Sequence, residues 1–101
     1  MTPIAKKALE GSIEKWQLIV VGTGSDKGVD NCPLCKEFFH PDCGGCPVSE
    51  RTGQMCCDGS PYETWVKLSP NRGGDWDIKA TTQKQKKVAT RMLRFLESLR
   101  S

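Results

Sequence analysis

The chain is organised around the stretch that reads Cys32-Pro-Leu-Cys35, then Cys43-Gly-Gly-Cys46, then Cys56-Cys57. This stretch holds all six cysteines of the 101-residue chain. Two Cys-x-x-Cys turns that lie so close together offer four thiolates to a single ion, and paired turns of this kind are typical of tetrahedral, sulfur-rich zinc sites. We therefore predict a structural Zn2+ site that locks the rest of a small and rather polar chain into shape.

The simplest ligand set consists of the four cysteines of the two turns, Cys32, Cys35, Cys43 and Cys46. Cys57 or His40 could replace one of them. Cys57 lies just ahead of a predicted helix, whose positive N-terminal end favours a thiolate. Cys56 and Cys57 are not expected to bind the same ion, because adjacent side chains diverge. The main alternative cofactor is an iron–sulfur cluster, since all-thiolate sites serve both metals, and disulfides or free buried thiols are the remaining alternatives.

The predicted metal is structural and not catalytic, because four thiolates leave no open position for water. The sequence also lacks the His-x-Glu spacing of zinc deaminases and the strand–helix–strand setting that activates a redox Cys-x-x-Cys turn. Residues 22–28 are rich in glycine, but a cysteine turn follows them where a phosphate-binding loop requires a helix. We interpret them as a flexible linker, and we expect no enzymatic activity and no small-molecule substrate.

Charge is unevenly distributed along the chain, although the net charge is only +3. Residues 23–78 carry five basic and nine acidic residues, whereas residues 79–101 carry seven basic residues and a single acid, Glu97. A stripe of cations at helical spacing follows from this, namely Lys84, Lys87, Arg91 and Arg94. The stripe could contact successive phosphates of a nucleic acid or an acidic protein, with Arg72, Trp76 and Lys79 extending the surface. The alternative is a helix face that only keeps the chain solvated.

A helix is predicted over residues 1–22, because Thr2-Pro3 combines an N-cap hydroxyl with a proline at the first helical position. Its apolar face is formed by Ile4, Leu9, Ile13, Trp16 and Val20, spaced three to five residues apart. Gly11-Ser12 could break this helix, and Gly22 is a suitable terminator.

Two further helices are predicted. Ser60-Pro61-Tyr62-Glu63 has the residues of a capping box and predicts a short helix over residues 60–68. Thr81 or Thr82 caps a basic amphipathic helix over residues 80–100. The apolar stripe of this last helix consists of Val88, Met92, Phe95, Leu96 and Leu99.

These elements predict a mainly α, zinc-stapled single domain over residues 1–101, with a cysteine-rich metal lobe over residues 30–58. Residues 48–55 are interpreted as a polar loop within that lobe. The first and last helices are expected to pack as a pair. The aromatic side chains are expected to pack the helices against the metal lobe, in particular Trp16, Phe38, Phe39, Tyr62, Trp65 and Phe95.

The whole pattern resembles small, uncharacterised cysteine-rich proteins encoded by bacteriophages and prophages. The resemblance rests on Ile13-Glu-Lys-Trp16, the glycine-rich loop, the two cysteine turns, and Cys57-Asp-Gly-Ser-Pro-Tyr62 followed by Trp65. It covers about half of the chain and implies an intracellular accessory protein of phage or bacterial origin, with Cys57 as part of the metal site. It implies no particular activity, and it leaves out the basic C-terminal helix.

No apolar run followed by a small-residue cleavage site is present near Met1, and no stretch is long enough to span a membrane. We expect a cytoplasmic protein, located in the host cytoplasm if it is phage-encoded, where reduced thiols favour metal over disulfides. The expected function is that of a non-enzymatic, zinc-stabilised binding module for another protein. The alternative is a nucleic-acid-binding zinc protein that uses its last helix.

Overall fold

The computed structural model describes residues 3–27, 32–38, 46–53, 59–68 and 78–100. The helices are α1 (Pro3–Val21), α2 (Pro33–Phe38), α3 (Pro47–Thr52), α4 (Tyr62–Leu68) and α5 (Gln83–Glu97), followed by a 3₁₀ helix over Ser98–Arg100. In these ranges, β-pairing consists of one isolated antiparallel bridge between Asp26 and Ile78. The prediction of a mainly α-helical fold is therefore confirmed.

Helices α1 and α5 pack against each other and form the centre of the core. The buried residues of α1 are Ala5, Ala8, Leu9, Ser12, Ile13, Trp16 and Ile19. Those of α5 are Gln85, Val88, Ala89, Met92 and Leu96, and Leu99 of the 3₁₀ helix continues the same face. Each large aliphatic side chain buried here contributes about 1.5–3 kcal/mol. The predicted pairing of the first and last helices is confirmed.

The buried face of α1 differs from the predicted one at both ends. Ile4 is 61 % exposed and Val20 is only partly buried, whereas Ile19 is completely buried. The difference arises because small residues, including Ala5 and Ser12, lie near the middle of the buried face. A prediction based on large apolar residues alone therefore places the buried face at a different angle around the helix axis from the observed one.

The Gly11-Ser12 pair does not break α1 but allows α2 to approach it. A Cβ atom on Gly11 would lie 2.9 Å from Cγ of Pro33, so only glycine leaves room for that proline ring. The Ser12 hydroxyl then accepts a hydrogen bond from the Leu34 N–H at 3.4 Å. The two residues that weaken the helix in isolation thus form the docking point for the first cysteine-bearing helix.

The ends of the helices follow the predicted capping chemistry. Gly22 terminates α1 with φ at 91°, a left-handed conformation that glycine adopts without strain. Thr82, one of the two predicted caps, begins α5. Its hydroxyl accepts from the Gln85 N–H at 3.1 Å, and the Gln85 side chain accepts from the Thr82 N–H at 3.1 Å. This reciprocal pair is a complete capping box.

The start of α4 is close to the predicted capping box but not identical to it. The Ser60 hydroxyl accepts from the Tyr62 N–H at 3.2 Å, as an N-terminal cap should. The Glu63 carboxylate reaches back to the Gly59 N–H at 3.1 Å, one residue before Ser60. The backbone groups ahead of the helix are therefore satisfied by the two predicted side chains.

The prediction of a polar loop over residues 48–55 is wrong where α3 forms. Pro47 stands in the first turn, and Gly53 ends the helix in the left-handed conformation with its N–H donating to the Ser49 carbonyl at 2.9 Å. Val48 is completely buried and anchors this otherwise polar turn to the core. A helix of six residues is too short to show a periodic pattern, so the sequence revealed only its terminal residues.

Residues 22–27 form a loop, as predicted, and hydrogen bonds tie this loop to its neighbours. The N–H groups of Thr23 and Gly24 both donate to the Leu18 carbonyl, at 3.0 and 2.9 Å. Asp26 and Ile78 exchange two backbone hydrogen bonds of 2.8 and 2.9 Å. The segment is therefore tied to the end of α1 on one side and to the residue leading toward α5 on the other.

In the parts of the chain that the structure describes, no helix combines the length and the apolar character needed to cross a lipid bilayer.

Candidate functional site

A buried polar cluster joins α1, α4 and the segment that follows α1. The Lys15 ammonium donates to Oδ1 of Asp26 at 2.8 Å. Oδ2 of Asp26 accepts from the Tyr62 hydroxyl at 2.9 Å and from the Trp65 indole N–H at 3.0 Å. The Asp26 side chain is fully buried, and that of Lys15 is only 8 % exposed. These four residues are called the Asp26 cluster below.

Aromatic rings pack around the Asp26 cluster. The Trp16 ring meets Tyr62 and Trp65 edge-on, with ring centroids 6.0 and 5.2 Å apart. The Lys15 ammonium lies 5.4 Å from the centroid of Trp16, so the same cation contacts a carboxylate and a π-face. Each edge-on pair adds about 0.5–1.5 kcal/mol beyond the area it buries. These aromatic residues pack α1 against α4, whereas the predicted packing of Phe38 and Phe39 lies outside what the structure describes.

The Asp26 cluster has the chemistry of a structural link. Burying an ion pair is favourable only when the remaining polar atoms are also satisfied, and both oxygens of Asp26 are engaged. Throughout the described residues, every buried side-chain nitrogen or oxygen has a hydrogen-bond partner. Since Asp26 has no exposed surface, no dissolved molecule reaches its carboxylate.

Neither Lys15 nor Asp26 was identified from the sequence. Asp26 lies between glycines and small polar residues, a composition that is typical of exposed loops. The available signal was the pair Tyr62 and Trp65, three residues apart on one helical face, because both carry a polar hydrogen that needs an acceptor when the ring is buried.

Cys32 and Cys46 occupy equivalent positions at the starts of α2 and α3. Each is followed by a proline at the beginning of the helix. Each carbonyl accepts the first helical hydrogen bond, from the Lys36 N–H to Cys32 and from the Glu50 N–H to Cys46, both at 2.9 Å. The two cysteines are therefore fixed by the same local geometry in two separate turns.

Both cysteines also lie against the common core. Cys46 is buried in the core cluster together with Leu34 and Val48, and the partly buried Cys32 packs against that cluster. Leu34 and Val48 each lie two residues after their cysteine, and their burial in the core holds the start of the helix there. The Cys46 side chain makes no capping hydrogen bond to α3.

The remaining predicted ligands are not described with their side chains. His40, Cys43 and Cys57 lie outside the described residues, and Cys35 belongs to α2, where its backbone is described. Within the described part, no three His, Cys, Asp or Glu side chains come together as a metal site requires. The structure thus places Cys32 and Cys46 on one core, and the metal centre itself stays a prediction.

No protein-family model, curated protein or solved structure shows significant similarity to this chain. The candidate sites are therefore defined by sequence and geometry alone.

The predicted basic stripe lies on the surface of α5. All four of its residues, Lys84, Lys87, Arg91 and Arg94, are exposed. At 100° per residue they fall within an arc of about 80° and extend over about 15 Å of the helix axis. None of them forms an ion pair with another described residue, and the only acid in α5 is Glu97 near its end. Among the described residues, the stripe is thus a band of positive charge without an acidic partner, on a helix whose other side is fixed in the core.

A second ion pair closes the other end of the α1–α5 pair. Nε of Arg100 donates to both carboxylate oxygens of Glu10, at 2.9 and 3.1 Å. This hydrogen bond is the main cause of the raised pKa of the Arg100 guanidinium. Both side chains are almost half exposed, so water and salt screen the pair and it contributes little to stability.

Proposed function

We propose that the chain is a non-enzymatic, zinc-stabilised binding module that presents the basic stripe of α5 to an acidic protein partner. The observation that carries this proposal is the exposure of four cations along one side of a helix docked by its other side, with no ion pair to any residue that the structure describes. A rigid helix holds its charges in fixed register, so an acidic partner surface can match them without ordering a loop first.

The zinc part of the proposal is supported by the placement of Cys32 and Cys46. Both precede short helices whose anchoring residues belong to one hydrophobic core, so the backbone fixes the start of each Cys-x-x-Cys-bearing helix on that core. We propose that Cys35 and Cys43 complete a tetrahedral set, with Cys57 or His40 as the substitute ligand, and an iron–sulfur cluster as the alternative cofactor. The phage origin and the cytoplasmic location remain predictions.

Nucleic-acid binding is the second candidate function, and the continuity of the stripe favours it. No acidic residue interrupts α5 between Gln83 and Leu96, and cations spaced over about 15 Å can contact several phosphates of one strand. Such contacts depend on the charge of the phosphates and not on the base sequence. The affinity for nucleic acid would therefore fall steeply as the salt concentration rises.

One experiment separates the two partners. The wild-type chain and the variant Lys87→Glu/Arg91→Glu are compared for capture of proteins from nuclease-treated lysate, and for binding of labelled DNA and RNA across a salt series. The control Lys6→Glu/Lys7→Glu makes the same charge change at two exposed positions of α1. Nuclease-resistant capture that only the α5 variant loses supports the protein partner. Salt-sensitive binding of DNA or RNA with the same variant dependence supports the second candidate, and no binding of either kind removes the role of the stripe.

The metal is tested by elemental analysis of protein purified without added metal. We expect about one zinc per chain, and iron with visible absorbance would favour a cluster instead. The variant Cys32→Ser/Cys46→Ser should lose the metal. Cys56→Ser, which removes a cysteine outside the proposed set, should retain it. Metal-free wild-type protein would refute the zinc assignment.

A further inference from the structure

The Asp26 cluster joins the two ends of a chain segment, from Asp26 to Tyr62, that contains every cysteine. Asp26 precedes the first cysteine and Tyr62 follows the last, yet their side chains meet at 2.9 Å across a sequence separation of 36 residues. The Trp65 contact spans 39 residues in the same way. The base of the cysteine-bearing segment is therefore held together by side chains that are not cysteines.

The same cluster reaches the last helix through the backbone. Asp26 exchanges two hydrogen bonds with Ile78, which lies a few residues before the capping box of α5. Helix α4 packs on α5, and α5 packs on α1. Asp26 thus links α1 and α4 through its carboxylate and the chain leading into α5 through its backbone.

We infer that the Asp26 cluster ties α4 and the chain leading into α5 to α1 without help from the metal, and that it positions both ends of the cysteine-bearing segment for zinc. The first half of this inference is independent of the proposed function, and the second half rests on it. The sequence alone suggested the opposite order, in which the ion locks an otherwise loose chain.

The physical reason is the entropy of loop closure. Gathering ligands from a long open chain costs conformational entropy, and a contact that already joins the ends of the segment removes part of that cost before the ion binds. Asp26, Lys15 and Tyr62 are then positioning residues. They are not proposed ligands themselves, but loosening them weakens zinc binding even when the cysteines are intact.

Two measurements on the full chain test the inference. The first is hydrogen–deuterium exchange of the wild-type protein in zinc and in excess chelator. We expect the amides of α1, α4 and α5 to stay protected, with exchange rates that change by less than about tenfold. Exchange at the rates of an unfolded chain after chelation would overturn the inference while leaving the zinc assignment intact.

The second measurement is the zinc dissociation constant of Tyr62→Phe, obtained by competition with a chromophoric chelator. Tyr62→Phe removes one hydrogen bond to Asp26 but keeps the ring, and it should weaken zinc binding about tenfold. Thr64→Val removes an exposed hydroxyl from the same helix and should leave zinc binding unchanged. Equal affinities for Tyr62→Phe and wild type would refute the positioning role. If the wild-type chain binds no zinc, the proposed function fails, and protection of the α1, α4 and α5 amides in the metal-free chain decides whether the scaffold forms without an ion.

Discussion

At the scale of single residues, the fold depends on a buried carboxylate in a segment that looks exposed. Asp26 accepts hydrogen bonds from an ammonium, a phenol and an indole, and none of these donors lies near it in sequence. An arrangement of this kind is sensitive to the loss of one member. The partners it leaves behind remain buried with unsatisfied polar atoms or an unpaired charge.

Replacing Asp26 with Asn should therefore destabilise the protein strongly. The substitution leaves the Lys15 ammonium buried without its counter-charge, a change that typically costs about 3–5 kcal/mol. Urea unfolding followed by tryptophan fluorescence measures the loss. Glu10→Gln removes the carboxylate charge of the exposed pair with Arg100 and should leave the unfolding midpoint unchanged. Similar losses of stability for Asp26→Asn and Glu10→Gln would contradict the conclusion that an ion pair matters more when it is buried.

Gly11→Ala should be destabilising although alanine is the better helix former. The gain in helix propensity is about 1 kcal/mol. The new Cβ would lie 2.9 Å from the Pro33 ring, and overpacking of this kind costs about 1–3 kcal/mol. Thermal unfolding should show a net loss, whereas Gln17→Ala on the exposed side of the same helix should show a small gain or no change. A stabilised Gly11→Ala would mean that α2 does not dock at this point.

At the scale of secondary-structure elements, capping chemistry determines where α5 begins. The Thr82 hydroxyl and the Gln85 side chain satisfy each other's backbone groups, and Gln85 is buried while doing so. Because Gln85 faces the core, the cap and the packing of the first turn depend on each other.

Thr82→Ala should thus cost about 1 kcal/mol, within a range of 0.5–2 kcal/mol for lost N-caps. Thr90→Ala is the matched control, because Thr90 lies inside the same helix and its hydroxyl bonds only to the Lys86 carbonyl of the preceding turn. That control should be neutral or slightly stabilising, since alanine has the higher helix propensity. Chemical denaturation monitored by circular dichroism compares the two, and equal effects would show that the cap adds nothing.

The sequence predicted α1, α4 and α5 and missed α3. Helices α1, α4 and α5 were recognisable because capping residues and apolar spacing agreed in each of them. Helix α3 shows no period, because its two buried residues, Pro47 and Val48, are adjacent and the helix has only six residues. The Asp26 cluster was invisible because its members belong to three different elements, and side-chain pairing across elements leaves no pattern in the sequence. The cysteine spacing indicated a metal, but no spacing rule tells which contacts hold the scaffold.

At the scale of the whole molecule, the scaffold and the cysteine-bearing segment should respond differently to acid. The proposed zinc site requires deprotonated thiols, so an ion bound there should be released as the pH falls, with protons taking its place. We expect release to precede the loss of helical signal, because the contacts between α1 and α5 contain no metal ligand. A colorimetric zinc indicator and circular dichroism, recorded on the same pH series, measure both events. Coincident transitions would show that the ion and the scaffold are a single cooperative unit.

The pairing of α1 with α5 also has a consequence during synthesis. The apolar face of α1 emerges from the ribosome long before the helix that covers it, since more than half of the chain separates Val21 from Gln83. Until α5 is released, Leu9, Ile13 and Trp16 have no partner on the side that α5 will cover. The nascent chain therefore exposes an apolar helix face to chaperones and to other nascent chains on the same messenger RNA. Ribosomes stalled before Gln83 should therefore carry protease-sensitive chains, and protection should arise only after α5 has cleared the exit tunnel.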